Sequence, residues 1–280
     1  MNLVDTFLEL ISIESETGKE DNILDFIEKF LEDNNFQGEI KRNNGGIVAV
    51  PSESSKKIAL VGHVDTVPVV PNQQYEFEND DLIGGRGSVD MKGGIAVILH
   101  SLLENSSEIV GVFYTAEESS YEDNGLNIIM PELLSDFDID FAIILEPTDN
   151  EIQLGCLGSL NATLTISGKA AHSARPWVGD NPFYKVKDVI KLVEDNEINE
   201  IEIDGLIFKQ VMSITKISSG IANNVIPETL MLNLNFRYSP ELNGSEASNY
   251  INDLFSDYVE VEILNTSDGA MPIKSEEKIS

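Results

Sequence analysis

Ile58-Ala59-Leu60-Val61-Gly62-His63-Val64-Asp65 is the stretch on which the fold turns: an apolar run too short for a helix ends on an imidazole and a carboxylate. Continuous apolar runs of four to eight residues fit strands covered on both faces, as in the middle of a parallel sheet. The pattern recurs at residues 47–50, 109–114 and 141–145. The last two runs lead into Thr115-Ala116-Glu117-Glu118 and Glu146-Pro147-Thr148. Helical stretches near 93–103 and 125–134 lie between them, so the reading is an α/β fold with a mainly parallel sheet. Upstream, Thr17 and Glu20 have capping-box spacing ahead of Ile23, Phe26, Ile27, Phe30 and Leu31, which predicts an amphipathic helix.

From Gly158 the rhythm changes. Strand 160–167, helix 181–193, strands 209–217 and 230–238, helix 244–255 and strand 259–264 give the order β-α-β-β-α-β of a ferredoxin-like unit. The expected organisation is a larger domain of residues 1–157 plus 266–280, with a smaller domain of 158–265 inserted into it.

Composition bounds the function. The residues are 41% hydrophobic and 24% charged, so the chain is expected to fold throughout. A formal net charge of −31 repels phosphate backbones and anionic membrane surfaces, which argues against nucleic-acid or membrane partners. No apolar run approaches the ~20 residues that span a bilayer, and Met1 leads into an acidic segment without a basic leader, so a cytoplasmic location is expected. Cys156 is the sole cysteine, which rules out an intrachain disulfide or a thiolate metal cluster within the chain.

Functional groups in open α/β sheets gather beyond the carboxyl ends of the strands. There the sequence places His63, Asp65, Glu117, Glu118 and Glu146, with Asp90 just ahead of a helix in Gly85-Arg86-Gly87-Ser88-Val89-Asp90-Met91-Lys92-Gly93-Gly94. One imidazole among several carboxylates suits zinc, with manganese or cobalt as alternatives. Asp65, two residues beyond His63 on an extended segment, can accept the free ring N–H. Adjacent Glu117 and Glu118 suit a division of labour between metal binding and general-base catalysis; taken singly, the pair also fits a solvated acidic loop. His100, inside the helical stretch 95–103, reads as structural.

These segments, together with Gly168-Lys169-Ala170-Ala171-His172-Ser173-Ala174, resemble the signature blocks of the M20 metallopeptidases, in order and over nearly the whole chain. The resemblance implies two zinc ions per subunit. His63 and Glu146 become ligands of the first, Asp90 the bridge and Glu118 a ligand of the second. It makes Glu117 the general base, Asp65 the partner of His63, and the peptide between Asp90 and Met91 cis. It places His172 on a dimerisation domain, reaching across a homodimer to stabilise an oxyanion.

Within the family, the segments 171–177, 179–181, 222–227 and 235–238 look most like actinobacterial-type succinyl-diaminopimelate desuccinylases. That implies a small N-acyl amino-acid substrate, with Asn223, Asn224 and Arg237 as candidates for holding its carboxylates. Arg175 is the candidate substitute for an arginine that related enzymes carry where this chain has Leu157. An acetylornithine deacetylase, an aminoacyl carboxypeptidase and a silent binding homologue are the alternatives. The family's second zinc takes a further histidine from a later segment, whereas the last histidine here is His172. The chain therefore reads as C-terminally truncated, expected to bind at most one zinc tightly and to have little or no desuccinylase activity.

Overall fold

The computed structural model describes residues 2–52, 58–69, 77–79, 82–104 and 109–272, which form two compact units, 1–151 and 152–280. In the first unit, helices α1 (Leu3–Ser12) and α2 (Asp21–Asp33) precede the antiparallel pair β1 (Gly38–Asn43) and β2 (Gly46–Pro51). Then come β3 (Ile58–His63), the small antiparallel pair β4 (Phe77–Asn79) and β5 (Leu82–Gly84), α3 (Lys92–Glu104), β6 (Ile109–Tyr114), α4 (Leu126–Ile129) with a π turn over Met130–Leu134, and β7 (Phe141–Ile144).

The main sheet has the order β1-β2-β6-β3-β7. β3 runs parallel to β6 and β7, as the apolar runs predict, while β2 pairs antiparallel with β6. Burial on both faces accounts for the runs in β2, β3 and β6, whereas β7, at the edge of the sheet, leaves Ala142, Ile143 and Ile144 exposed and is not covered as its apolar run predicts. Ile47, Ala49, Leu60 and Phe113 pack on one side with Ile23, Ile27, Leu31, Ile95, Ile98 and Leu99 from α2 and α3. Their neighbours Val48, Val50, Ala59, Val61, Val110 and Val112 pack on the other side with Ile129. Because alternate residues face opposite cores, neither face tolerates a polar side chain until the strands end.

One expectation fails here: no capping box forms between Thr17 and Glu20. Glu20 itself takes the position before α2, with helical dihedrals and no side-chain cap, and Thr17 points its hydroxyl elsewhere. His100 is structural as read: its Nε2 lies 2.9 Å from Thr6 Oγ1 and its ring 5.7 Å from that of Phe30.

The second unit contains β8 (Gly158–Ser167), β9 (Ala171–His172), α5 (Val186–Asp195), β10 (Ile198–Ile203), β11 (Leu206–Ser219), β12 (Val225–Ile226), β13 (Thr229–Tyr238), α6 (Gly244–Phe255) and β14 (Glu260–Ser267). Its antiparallel sheet, β10-β11-β13-β8-β14, contains the ferredoxin-like order and adds β10 at one edge. Leu160, Leu164, Leu232, Leu234 and Phe236 cover one face together with Val189, Val193, Ile251 and Phe255 from the two helices. Their alternates make a polar face, on which Asn161 Oδ1 accepts from Asn235 Nδ2 at 3.0 Å and Asn161 Nδ2 donates to Asn265 Oδ1 at 3.0 Å.

The helix expected at 181–193 starts later. Asn181 caps a short 3-10 turn, Pro182–Tyr184, and α5 begins at Val186. The two units divide at 151/152, earlier than the expected boundary at 157/158, so 152–157 and 266–272 both fall in the second unit. Thr266 and Ser267 still pair with Leu160 and Ser159, and Ala270 pairs with Cys156. Residues 273–280 lie outside the described residues. Among those described, no helix is long and apolar enough to cross a membrane.

Candidate metal centre

The parallel register brings the ends of β3, β6 and β7 to one sheet edge. His63 pairs with Tyr114, and Val61 with Ile144, so the segments carrying Asp65, Glu117, Glu118 and Glu146 leave from the same side. Backbone bonds extend the register beyond the strands: Val64 N–H donates to Tyr114 O at 2.9 Å and Leu145 N–H to Val61 O at 3.0 Å. Asp90 joins from the turn before α3, across a cis peptide to Met91 as the resemblance implied. Gly62 lies beneath this turn, and a Cβ there would meet Met91 Cε at 2.6 Å, so a larger residue would have to displace the methionine side chain. Met91 Sδ in turn accepts the His63 backbone N–H at 3.3 Å.

The buried ring of His63 has its Nε2 2.9 Å from Asp90 Oδ1 and 3.7 Å from Glu146 Oε1. One donor atom each from His63, Asp90 and Glu118 lie within 4.8 Å of one another. On the other side of the ring, Nδ1 is 2.9 Å from the Asp65 carbonyl oxygen and 3.4 Å from Asp65 Oδ1. The shorter contact is to the carbonyl, while the Asp65 carboxylate serves three other donors. The N–H groups of Glu117 and Glu118 reach Oδ1 and Oδ2 at 3.0 and 3.1 Å, and Thr17 Oγ1 donates to Oδ2 at 2.8 Å. Ala116 holds this turn with φ 56°, a left-handed conformation unusual for a residue with a Cβ.

Electrostatics follow from crowding. Burial opposes a charge on His63, but Asp65, Asp90 and Glu146 outweigh it and push its pKa up to about 9. Burial and neighbouring carboxylates raise Glu117 and Glu118 despite the pull of His63, and take Glu146 up to about 7. Burial also acts upward on Asp65, yet His63, the two N–H groups and Thr17 hold its carboxyl below the usual range. An imidazole and three carboxylates with no basic side chain among them form a donor set that a divalent cation would neutralise, and the residues fit zinc, cobalt or manganese.

These shifts give a prediction for protein kept metal-free with a chelator. A carboxyl raised in the fold stabilises below its unfolded value, and that contribution disappears as pH rises through the folded value. For Glu146 the window runs from 4.5 to about 7. The His63 contribution, complete below 6.5, is lost on the way to about 9. Lys92, lowered by burial to about 8, begins to offset this only above that pH. The melting temperature with chelator is therefore expected to fall between pH 5 and 8. Zinc should raise it more at pH 8, where the ligands shed their protons readily. An equal zinc effect at both pH values would contradict the assigned donor set.

The remaining expected residues lie in the second unit. His172 on β9 pairs with Val225 on β12, and its exposed ring accepts the Ala174 N–H at Nδ1, 3.1 Å, which leaves the proton on Nε2. Arg175 N–H bonds to His172 O and Ser173 N–H to Asn224 O, so Arg175, Asn223 and Asn224 cluster around His172. Arg237 does not join them: it pairs with Ser159, at the opposite end of β8 and β13 from the Ser167–Thr229 pair that adjoins this cluster.

Residues 154–261 match the peptidase dimerisation domain of the M20 peptidases. The chain is 37% identical over 272 residues to a Mycobacterium tuberculosis protein described as a candidate succinyl-diaminopimelate desuccinylase, covering 95% of this chain and 77% of that one. The chain belongs to the M20 family of metallopeptidases. It is also 36% identical over 275 residues to the succinyl-diaminopimelate desuccinylase of Corynebacterium glutamicum, covering 94% and 74% of the two chains. The M20 family metallo-carboxypeptidase of Sulfolobus solfataricus shares the fold, with a TM-score of 0.69 at 15% identity over 94% of this chain and 78% of that one. Family membership makes the protein a metal-dependent amide hydrolase.

Thr17, Met91 and Ala116 are the contributors to this centre that sequence reasoning did not assign. Thr17 was visible only as a helix-cap candidate, and nothing in local spacing ties it to Asp65, 48 residues away.

Proposed function

We propose that the protein hydrolyses N-succinyl-L,L-2,6-diaminopimelate to succinate and L,L-diaminopimelate, as a cytoplasmic homodimer joined through the second unit. The observation that carries this reading is the convergence of His63, Asp90, Glu117, Glu118 and Glu146 on one sheet edge, in a chain closely related to named desuccinylases. His63 and Glu146 would hold one divalent cation, Asp90 would bridge, and Glu118 would hold a second. Cations bound there supply Lewis-acid chemistry, acidifying water and polarising a carbonyl oxygen.

Glu117 accepts a proton from the attacking water as its oxygen bonds to the amide carbon. It then returns the proton to the nitrogen as the carbon–nitrogen bond breaks. Asp65 holds the Glu117-Glu118 turn and the His63 ring in place. The His172 Nε2–H donates to the oxyanion from the partner subunit, with Arg175, Asn223 and Asn224 beside it for the substrate carboxylates. Arg237 is a weaker candidate for that role, given its place in the sheet.

Among the described residues, Asp90 and Glu118 would hold the second cation with two carboxylates, against an imidazole and two carboxylates for the first, so turnover is expected to keep rising with free zinc after the first site has filled. The discriminating experiment measures kcat/KM with excess zinc on N-succinyl-diaminopimelate, N-acetylornithine and a dipeptide. Preference for the succinyl substrate supports the proposal, and preference for either of the others overturns it.

A further inference from the structure

We propose that Thr17 is a positioning residue for the metal centre: its hydroxyl, the third donor on the Asp65 carboxylate, fixes that carboxylate and through it the Glu117-Glu118 turn and the negative charge beside the His63 ring. The inference rests on the reading of His63 as a metal ligand.

The Asp65 side chain is fully buried, so no bulk water replaces a missing donor. Oδ1 receives the Glu117 N–H and lies 3.4 Å from His63 Nδ1. Oδ2 receives the Glu118 N–H and the Thr17 hydroxyl, and the latter bond is the shorter, at 2.8 against 3.1 Å. Without the hydroxyl, Oδ2 keeps one donor and the carboxylate can rotate about its Cβ–Cγ bond. Both oxygens hold the acidic turn that carries Glu118, and Oδ1 faces the His63 ring, which is itself bonded to the Asp65 carbonyl, so that rotation shifts the turn and moves the negative charge beside the histidine.

The hydroxyl's own position is set by backbone. Thr17 N–H donates to Thr66 O at 3.2 Å, Thr66 N–H donates to Ser15 O at 2.9 Å, and Glu16 forms a parallel bridge with Thr66. This zipper fastens the linker between α1 and α2 to the segment one residue beyond Asp65. It involves no side-chain atom of Thr17, so a substitution that keeps the β-branched shape leaves it intact. Thr17 thus converts the placement of the linker into an orientation of the metal-site carboxylate.

The test compares Thr17→Val, isosteric but without the donor, with Thr17→Ser, which restores it. Zinc affinity is measured by chelator competition, alongside kcat and KM for N-succinyl-diaminopimelate at saturating zinc. Thr17→Val is expected to weaken zinc binding by about 10-fold or more, the usual consequence of losing a partner that orients a metal ligand. It should also lower kcat with little change in KM, and Thr17→Ser should recover most of both. If Thr17→Val does not fold, Thr17→Ala takes its place with the same readouts.

A purely structural hydroxyl would lower the melting temperature of zinc-free and zinc-bound protein alike and leave zinc affinity unchanged. That result, or a serine variant no better than valine, overturns the proposal. If the parent turns over no succinyl substrate but Thr17→Val still loses zinc affinity, the positioning role stands and the desuccinylase reading falls.

Discussion

Glu117→Gln is expected to lower turnover by at least ~10²–10⁴-fold at saturating zinc while leaving zinc affinity nearly unchanged. Glutamine preserves the shape and the backbone N–H that Asp65 accepts, so the turn over residues 115–118 should stay in place. What is lost is a carboxylate able to take a proton from water. Burial, together with Asp65 and Asp90, raises the Glu117 carboxyl against the opposing pull of His63. A raised carboxyl is a stronger base than one in water, which suits the role. Glu117 is assigned to the proton and not to either cation, so zinc binding and turnover should separate in this variant. Near-parent turnover would remove Glu117 from its assigned role. A large loss of zinc affinity would make it a ligand instead.

How far the sequence discloses this protein depends on which interactions leave a local trace. Strands β2, β3 and β6 are legible because burial on both faces demands unbroken apolar residues, and the site is legible because polar groups appear where that burial stops. Strand direction leaves no such trace: β2 is as apolar as β3 yet runs antiparallel to β6, since burial constrains side chains and not chain sense. Strand β10 was legible in principle. Ile198, Ile201 and Ile203 precede Asp204-Gly205, both with positive φ, the signature of a tight hairpin turn. The intervening acidic residues and the exposure of this edge strand hide it from a search for buried runs.

Arg237 and Thr17 show the corresponding limits at the site. Arg237 has the right chemistry for a carboxylate, but register along β13 sets its place, and register is not readable from one strand. Thr17 has cap spacing, but α2 starts only at Asp21, with Glu20 at the cap position and no side-chain cap. The Thr17 hydroxyl, too far upstream to accept from the first turn, instead donates its proton in a charge-assisted bond to a buried carboxylate distant in sequence.

Asp65→Asn should produce the second large effect, and it reaches both stability and metal binding. The amide keeps one acceptor oxygen where the carboxylate offers two. If the oxygen faces Glu117, the NH2 group faces the Glu118 N–H, and Thr17 must turn its hydroxyl to accept. If the amide is reversed, the Glu117 N–H loses its partner and the NH2 group points toward His63 Nδ1. Either orientation sets a donor against a donor at a fully buried position. An unpaired buried polar group of this kind costs about 1–3 kcal/mol. The change also removes the negative charge beside His63, and loss of a partner that orients a metal ligand weakens binding by roughly 10–100-fold. The expected result is a lower melting temperature with chelator present and a zinc affinity reduced more than in Thr17→Val, because the hub is altered and not one of its three donors. Thermal melts and chelator competition on the two variants test this ordering. An Asp65→Asn protein as stable and as tight for zinc as its parent would mean that the Glu117-Glu118 turn and the His63 ring are held by something other than this carboxylate.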